Sequence, residues 1–313
     1  MIIINYILIC IIFGTTFLAI KFGVVSGVPP LFSAGLRFSL AGILVILYFL
    51  SKGEKVSSFI FSKRIMFIGF CLTFMTFSTL YWAEQYITSG LAAVLSATGP
   101  MMILLLQLKR TKKRIEKKQF IALLMAFSGV ICVCLPGMSQ HVTYLWIAAC
   151  IAVLIGEVFY GFGSVYSKEF LTDFEEVSPF LINAVQMLYG GVFLLIISLL
   201  FEKPSIQTLY SWDAVWPILY LVFIGSIGGH GLYTWLLSKT NPVFPSTWLY
   251  VSPLIASVLG YFVMDEPIKA IMAIGGVLIL VGVFIANWST FALYRRQGNF
   301  LKKQIKEHKE EII

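Results

Sequence analysis

Pro100-Met-Met-Ile-Leu-Leu-Leu106 and Pro253-Leu-Ile-Ala-Ser-Val-Leu259 stand 153 positions apart and read as two copies of one apolar element opened by proline. At the same offset Trp82 matches Trp235 and Gly129 matches Gly282. Nearer the start of each copy the offset is 147: Gly14 to Lys21 matches Gly161 to Lys168, with glycine and lysine seven residues apart in both. Pro30 to Gly42 matches Pro179 to Gly191 at an offset of 149, and Gln186 stands where the first copy has Arg37. Loop insertions produce such a drift in offset. The chain therefore divides into two copies of one unit, residues 1–137 and 138–291, and a basic tail, 292–313.

Composition sets the environment. Of 313 residues, 59% are hydrophobic and only 12% charged, with a mean hydropathy of +0.90. Soluble domains carry about 25% charged residues, so a soluble fold is excluded. The apolar residues gather in ten runs, at 3–22, 31–50, 65–83, 89–108, 119–136, 142–165, 179–201, 214–237, 243–264 and 268–290. Each is long enough to cross about 30 Å of hydrocarbon as a helix. The first run lacks the positive leader and small-residue cleavage site of a signal peptide, and it is read as the first helix. Five spans per copy is an odd number, so the second copy enters the membrane from the opposite face. The expected fold is an all-α membrane protein of ten transmembrane helices in two inverted five-helix repeats, an architecture of secondary transporters. The remaining loops leave no room for a soluble catalytic domain.

Charge placement predicts orientation. With the N-terminus inside, 19 of the 23 Lys and Arg residues fall in cytoplasmic segments and the tail. Lys21, Lys203 and Lys269 fall outside, and Arg37 lies within the bilayer. This bias places both termini in the cytoplasm of a cell-membrane protein. The basic run from Lys109 to Lys118 is then a topogenic loop facing lipid headgroups, not a nucleic-acid site. The acidic turn Asp265-Glu266-Pro267 matches Lys113 in the first copy; under inversion they face opposite sides, and both obey the charge rule. Cys10, Cys71, Cys132, Cys134 and Cys150 are odd in number and lack metal-ligand spacing, so they read as packing residues, with no metal or cofactor expected.

Phe13-Gly-Thr-Thr-Phe-Leu-Ala-Ile-Lys21, Arg37-Phe-Ser-Leu-Ala-Gly42 and Gly90-Leu-Ala-Ala-Val-Leu-Ser-Ala-Thr-Gly-Pro100 resemble the EamA family of the drug/metabolite transporter superfamily. In the second copy Tyr250-Val-Ser-Pro253, Asp265-Glu266 and Gly275 to Gly282 resemble its repeated element. The resemblance covers all ten spans and implies a ten-helix transporter, mostly an exporter of metabolites or toxic compounds, often driven by proton exchange. Two positions depart from the family pattern: Lys113 stands where the first repeat usually has Glu, and Phe13 where Trp commonly opens the first motif.

Ionisable groups inside a bilayer cost at least about 2.5–3.5 kcal/mol each, so each needs a reason. Arg37 sits roughly 10 Å below the outer boundary, as a counter-charge for a substrate carboxylate or as a snorkelling or carbonyl-paired side chain. Glu157 lies roughly 21 Å deep, just past the midplane, where a carboxylate cannot snorkel. Tyr160, Gly161 and Ser164 share its face, a polar stripe that suits proton coupling, a substrate ammonium or a structural hydrogen bond. His230, roughly 24 Å deep, is a second proton-coupling candidate or a satisfied core histidine. Tyr81, Trp235 and Tyr250 are candidates for the substrate path, competing with an interfacial aromatic belt. Gln186, at the position of Arg37, completes the candidate set. Gly161-Phe-Gly163 lies within a span, lacks a following Lys-Ser/Thr and is no phosphate loop.

These residues point away from an enzyme. His141 and His308 lie outside the spans, and no paired Asp, His-x-x-x-His or Ser/Lys set occurs at membrane depth. A channel would want rings of like charge. One intramembrane arginine disfavours nucleotide sugars, whose dianions need clustered Lys and Arg. The expected function is a secondary exporter of small neutral or zwitterionic, amino-acid-like metabolites by alternating access, with protons as coupling partner. A lipophilic-drug exporter is the alternative, and a membrane sensor or scaffold without flux is the alternative of another class.

Overall fold

The computed structural model describes residues 1–54, 59–112, 116–135, 143–204, 206–264 and 269–288. Among these, every regular element is helical. Eight helices are long and apolar enough to cross a membrane, and two shorter apolar helices bring the number to ten. We number them α1 (Ile2–Val25), α2 (Pro30–Ser51), α3 (Lys63–Ala83), α4 (Ser89–Ser96 continued by Gly99–Thr111) and α5 (Lys117–Cys134). The second copy supplies α6 (Tyr144–Asp173), α7 (Pro179–Phe201), α8 (Trp212–Lys239), α9 (Trp248–Met264) and α10 (Ala270–Ala286). Lys113, the Asp265-Glu266-Pro267 turn and the 292–313 tail lie outside the described residues.

Local chemistry sets the helix starts. Pro30 and Pro179 open α2 and α7, where the missing N–H costs nothing. Thr88 and Thr143 cap α4 and α6 by accepting from Leu91 N and Trp146 N. The start of α2 is also held by the end of α7: the Glu202 carboxylate accepts from Leu31 N at 2.9 Å and Phe32 N at 3.0 Å. At the other face α6 runs on to Asp173, two turns beyond the predicted span. Its polar end takes up Arg64, through Asp173 at 2.6 Å, and Arg110, through both oxygens of Glu169. These pairs are exposed and worth at most about 1 kcal/mol each.

With apolar side chains such as Ile4, Leu199, Phe223 and Val277 facing outward, lipid gives helices no hydrophobic reason to associate. Close van der Waals approach at small residues supplies it. Helix α2 packs on α7, and α5 on α10, and each pair is self-complementary under the repeat. A Cβ on Gly42 would lie 3.0 Å from Leu188 N, and one on its counterpart Gly191 would lie 2.6 Å from Ser39 N, the counterpart of Leu188. A Cβ on Gly129 would lie 2.6 Å from Gly275 O, and one on Gly282, its counterpart, 2.7 Å from Ala122 O, the counterpart of Gly275. Contacts that exchange in this way define a pseudo-two-fold axis. With five helices per copy, the axis lies in the membrane plane.

The helices around that axis are irregular in matched places. Helix α3 widens to π geometry over Phe70–Met75 and α8 over Leu221–His230. Freed carbonyls find hydroxyls: Thr76 Oγ1 donates to Cys71 O at 3.0 Å, and Thr234 Oγ1 to His230 O at 3.0 Å. Helix α4 breaks after Ser96, and α9 is preceded by a separate turn, Val243–Ser246. Interrupted helices in corresponding positions of two repeats mark the binding site of this architecture.

Candidate functional site

The irregular helices surround one central cavity. Helix α1 gives Phe13, Thr16 and Phe17, α2 gives Arg37, and α3 gives Thr76, Phe77 and Leu80. Ser96 at the α4 break, Glu157 and Tyr160 on α6, His230 and Tyr233 on α8, and Trp248 at the start of α9 complete it. The repeat offsets pair these residues across the axis: Phe13 with Tyr160, Phe77 with His230, Leu80 with Tyr233, and Ser96 with Leu249, which also lines the wall. The cavity thus sits on the pseudo-two-fold. In each of these pairs an apolar side chain faces one with a polar atom.

Arg37 is 1% exposed. Its Nε donates to Ser226 Oγ at 2.9 Å and its Nη1 to the Tyr81 hydroxyl at 3.2 Å. The guanidinium carbon lies 4.6 Å from the Phe38 ring centre and 5.3 Å from that of Phe77, a cation–π setting. The two hydrogen bonds engage two of five donor hydrogens, so Arg37 is held in place yet keeps donors for an anion.

Glu157 is 4% exposed, and its Oε2 has no partner among the described residues. A Cβ on Gly99 would collide with that oxygen, so glycine just past the α4 break keeps the carboxyl free to face the cavity. Ser96 borders the Glu157 carboxyl, and His230 Nε2 is likewise buried without a partner among the described residues. Two unmet polar atoms, Glu157 Oε2 and His230 Nε2, thus border one cavity, which is unusual for a buried site. The remaining walls are aromatic. Phe13 lies 4.2 Å from the Trp248 ring, and His230 stands edge-on to Phe13, Phe38 and Phe77 at 5.0, 5.5 and 5.5 Å. Trp248 Nε1 donates to the Tyr160 hydroxyl at 3.4 Å, and Tyr233 shares a 3.0 Å hydrogen bond with Ser164.

Arg37, Glu157, Tyr160 and His230, expected from the sequence, are thus brought together. Tyr81 stands behind Arg37 as its acceptor. The other candidates lie elsewhere. Gln186 accepts from Thr73 Oγ1 at 2.9 Å and donates to Asn183 Oδ1 at 3.0 Å. Tyr250 is fully buried, with its hydroxyl unpartnered among the described residues. Trp235 lines a separate polar cavity at the end of α8 with Lys168, Glu175 and Lys239. Phe13, Phe17 and Ser96 escaped the sequence reading as wall residues; carrying the offset through from Tyr160 would have found Phe13.

The pattern of the EamA-like transporter family matches residues 1–135 and again residues 147–288. The chain belongs to the EamA-like transporter family. Among its relatives, the inner membrane transporter YedA of Escherichia coli strain K12 is 30% identical over 275 residues, 87% of this chain and 86% of that one. PagO of Salmonella typhimurium is 28% identical over 90% of each chain. The transporter YoaV of Bacillus subtilis is 24% identical over 92% of this chain and 96% of its own. A solved crystal structure at 18% sequence identity superposes with a TM-score of 0.74 over 93% of this chain and 97% of that one, which shows the fold. This EamA-family chain is a multi-pass membrane transporter of ten helices in two inverted repeats.

Proposed function

We propose that this transporter exports small zwitterionic, amino-acid-like metabolites in exchange for protons, by alternating access around the central cavity. One observation carries the reading: a buried guanidinium and a buried carboxyl border the same aromatic-walled cavity. Arg37 receives the substrate carboxylate through its remaining donors. The ammonium group sits against the aromatic faces and toward Glu157. A proton and an ammonium then compete for one carboxyl. Competing occupants of an alternately exposed site move in opposite directions, which is how exchange coupling arises. Ser96 Oγ and His230 Nε2 offer the remaining polar contacts, and His230 is the second group able to accept the proton. The basic bias of one set of loops supports cytoplasmic termini, so that a tag at either end is internal and a tag near Gln207 external.

The test is uptake into vesicles of purified full-length protein with and without an imposed pH gradient. Neutral amino acids should accumulate with the gradient. Their amides and their deaminated acids, which keep one charge each, should compete poorly. Preferred transport of lipophilic cations lacking a carboxylate would favour the drug-exporter reading. Absence of any flux would leave the sensor reading.

A further inference from the structure

The glycine and lysine of the repeated motif, Gly14 with Lys21 and Gly161 with Lys168, do not line the central cavity, yet both copies make corresponding contacts. Each glycine lets the first helix of its repeat meet the fourth helix of the other. A Cβ on Gly14 would lie 3.4 Å from Ser252 O of α9, and one on Gly161 would lie 3.4 Å from Ile103 N of α4. Two turns on, the same face presents the lysine to the third helix of its own repeat. Lys21 Nζ lies 3.5 Å from Glu84 O at the end of α3, and Lys168 Nζ lies 2.9 Å from Ser238 O at the end of α8. The last carbonyls of a helix have no partner in the helix itself and carry its negative dipole end, so an ammonium is the natural cap. Each lysine also faces an acid, Lys21 the buried Glu84 and Lys168 Glu175.

Inversion places the two caps on opposite faces of the membrane. Helices α1 and α3 both end at the face where α6 begins, whereas α6 and α8 both end at the face where α1 begins. The two caps are unequal: Lys168 makes a full hydrogen bond, while Lys21 stands at the limiting distance of one. We infer that Lys21 and Lys168 are paired gate latches, each holding the first and third helices of its repeat together at one face, closed in alternation. This rests on the alternating-access reading. Opening one end of the cavity parts α1 from α3, and opening the other parts α6 from α8. The lysine–carbonyl contact is what each motion must break.

The test uses the full chain with Cys10, Cys71, Cys132, Cys134 and Cys150 replaced by alanine and a reporter, Ser96→Cys, in the cavity. A membrane-impermeant maleimide is applied to each face in right-side-out and inverted vesicles, without substrate or proton gradient. Lys21→Met should raise labelling from the face where α3 ends by about tenfold, the worth of one hydrogen bond to a charged group, and lower it from the other. Lys168→Met should do the reverse, and the double variant should return toward the parent ratio. Where a methionine variant fails to purify as a folded species, Lys21→Gln or Lys168→Gln is read the same way. Labelling from both faces that moves in one direction in both variants, or does not move, overturns the latches and leaves alternating access standing. Labelling from one face only in every variant overturns both.

Discussion

The two repeats share a scaffold and differ in chemistry. Their helix contacts exchange under the pseudo-two-fold at Gly42 and Gly191 and at Gly129 and Gly282, and both third helices widen before the cavity. At the cavity wall the counterparts are unlike. Phe77 faces His230, Leu80 faces Tyr233, and the positions matching Glu157 and Arg37 hold Cys10 and Gln186. Under the proposed alternating access, a symmetric scaffold would let the same contacts form whichever face is open. Under the proposed zwitterionic reading, asymmetric lining would give the substrate a single orientation, carboxylate to the first repeat and ammonium to the second. Symmetry therefore serves the motion, and its violation serves recognition.

Six substitutions at five positions separate these roles. Gly42→Ala and Gly191→Ala place a methyl against backbone that cannot yield, and should cost alike, about 3 kcal/mol each, read as matching drops in the detergent melting midpoint. Unequal drops would break the symmetry of the α2–α7 contact. Arg37→Gln gives the first repeat the residue of the second. It should raise the half-saturating substrate concentration roughly 10–100-fold, the worth of a charge-assisted contact, with smaller effects on melting. Arg37→Lys should also lose much of transport, because a point charge cannot hold Ser226, Tyr81 and a carboxylate together. Gln186→Leu, the converse position, should cost about 1–2 kcal/mol of stability by stranding Thr73, Asn183 keeping its bond from Thr234, while the half-saturating concentration stays put. His230→Phe makes the second repeat like the first. Keeping the aromatic wall but losing Nε2, it should raise the half-saturating substrate concentration modestly while the pH response survives, and a lost pH response there would move the coupling role from Glu157 to His230.

The fold was legible because bilayer and repeat constrain sequence strongly: apolar run lengths, an odd span count and the offsets at Pro253, Gly161 and Gly191 leave few alternatives. The surplus length of α6 was hidden, because a helix leaving the membrane at Tyr166 loses its apolar signature while keeping its hydrogen bonds. The site was half legible. Arg37 and Glu157 stand out because charge at membrane depth demands a reason. Gln186 looked equivalent to Arg37 by position, but whether a polar side chain faces the cavity or a neighbouring helix depends on helix rotation, which the offset does not encode. Trp235 shows the same limit from the other side: alignment with Trp82 found it, and the end of α8 carries it away from the axis.

The central claim is that one carboxyl, present in the second repeat and absent from the first, couples substrate to protons. It is tested most directly by Glu157→Gln in vesicles, with a neutral amino acid followed under an imposed pH gradient and, separately, in exchange at equal concentrations. The account predicts that the variant folds, since a neutral isostere relieves a buried charge, and that it exchanges substrate but no longer accumulates it. Accumulation by Glu157→Gln to the parent level would contradict it.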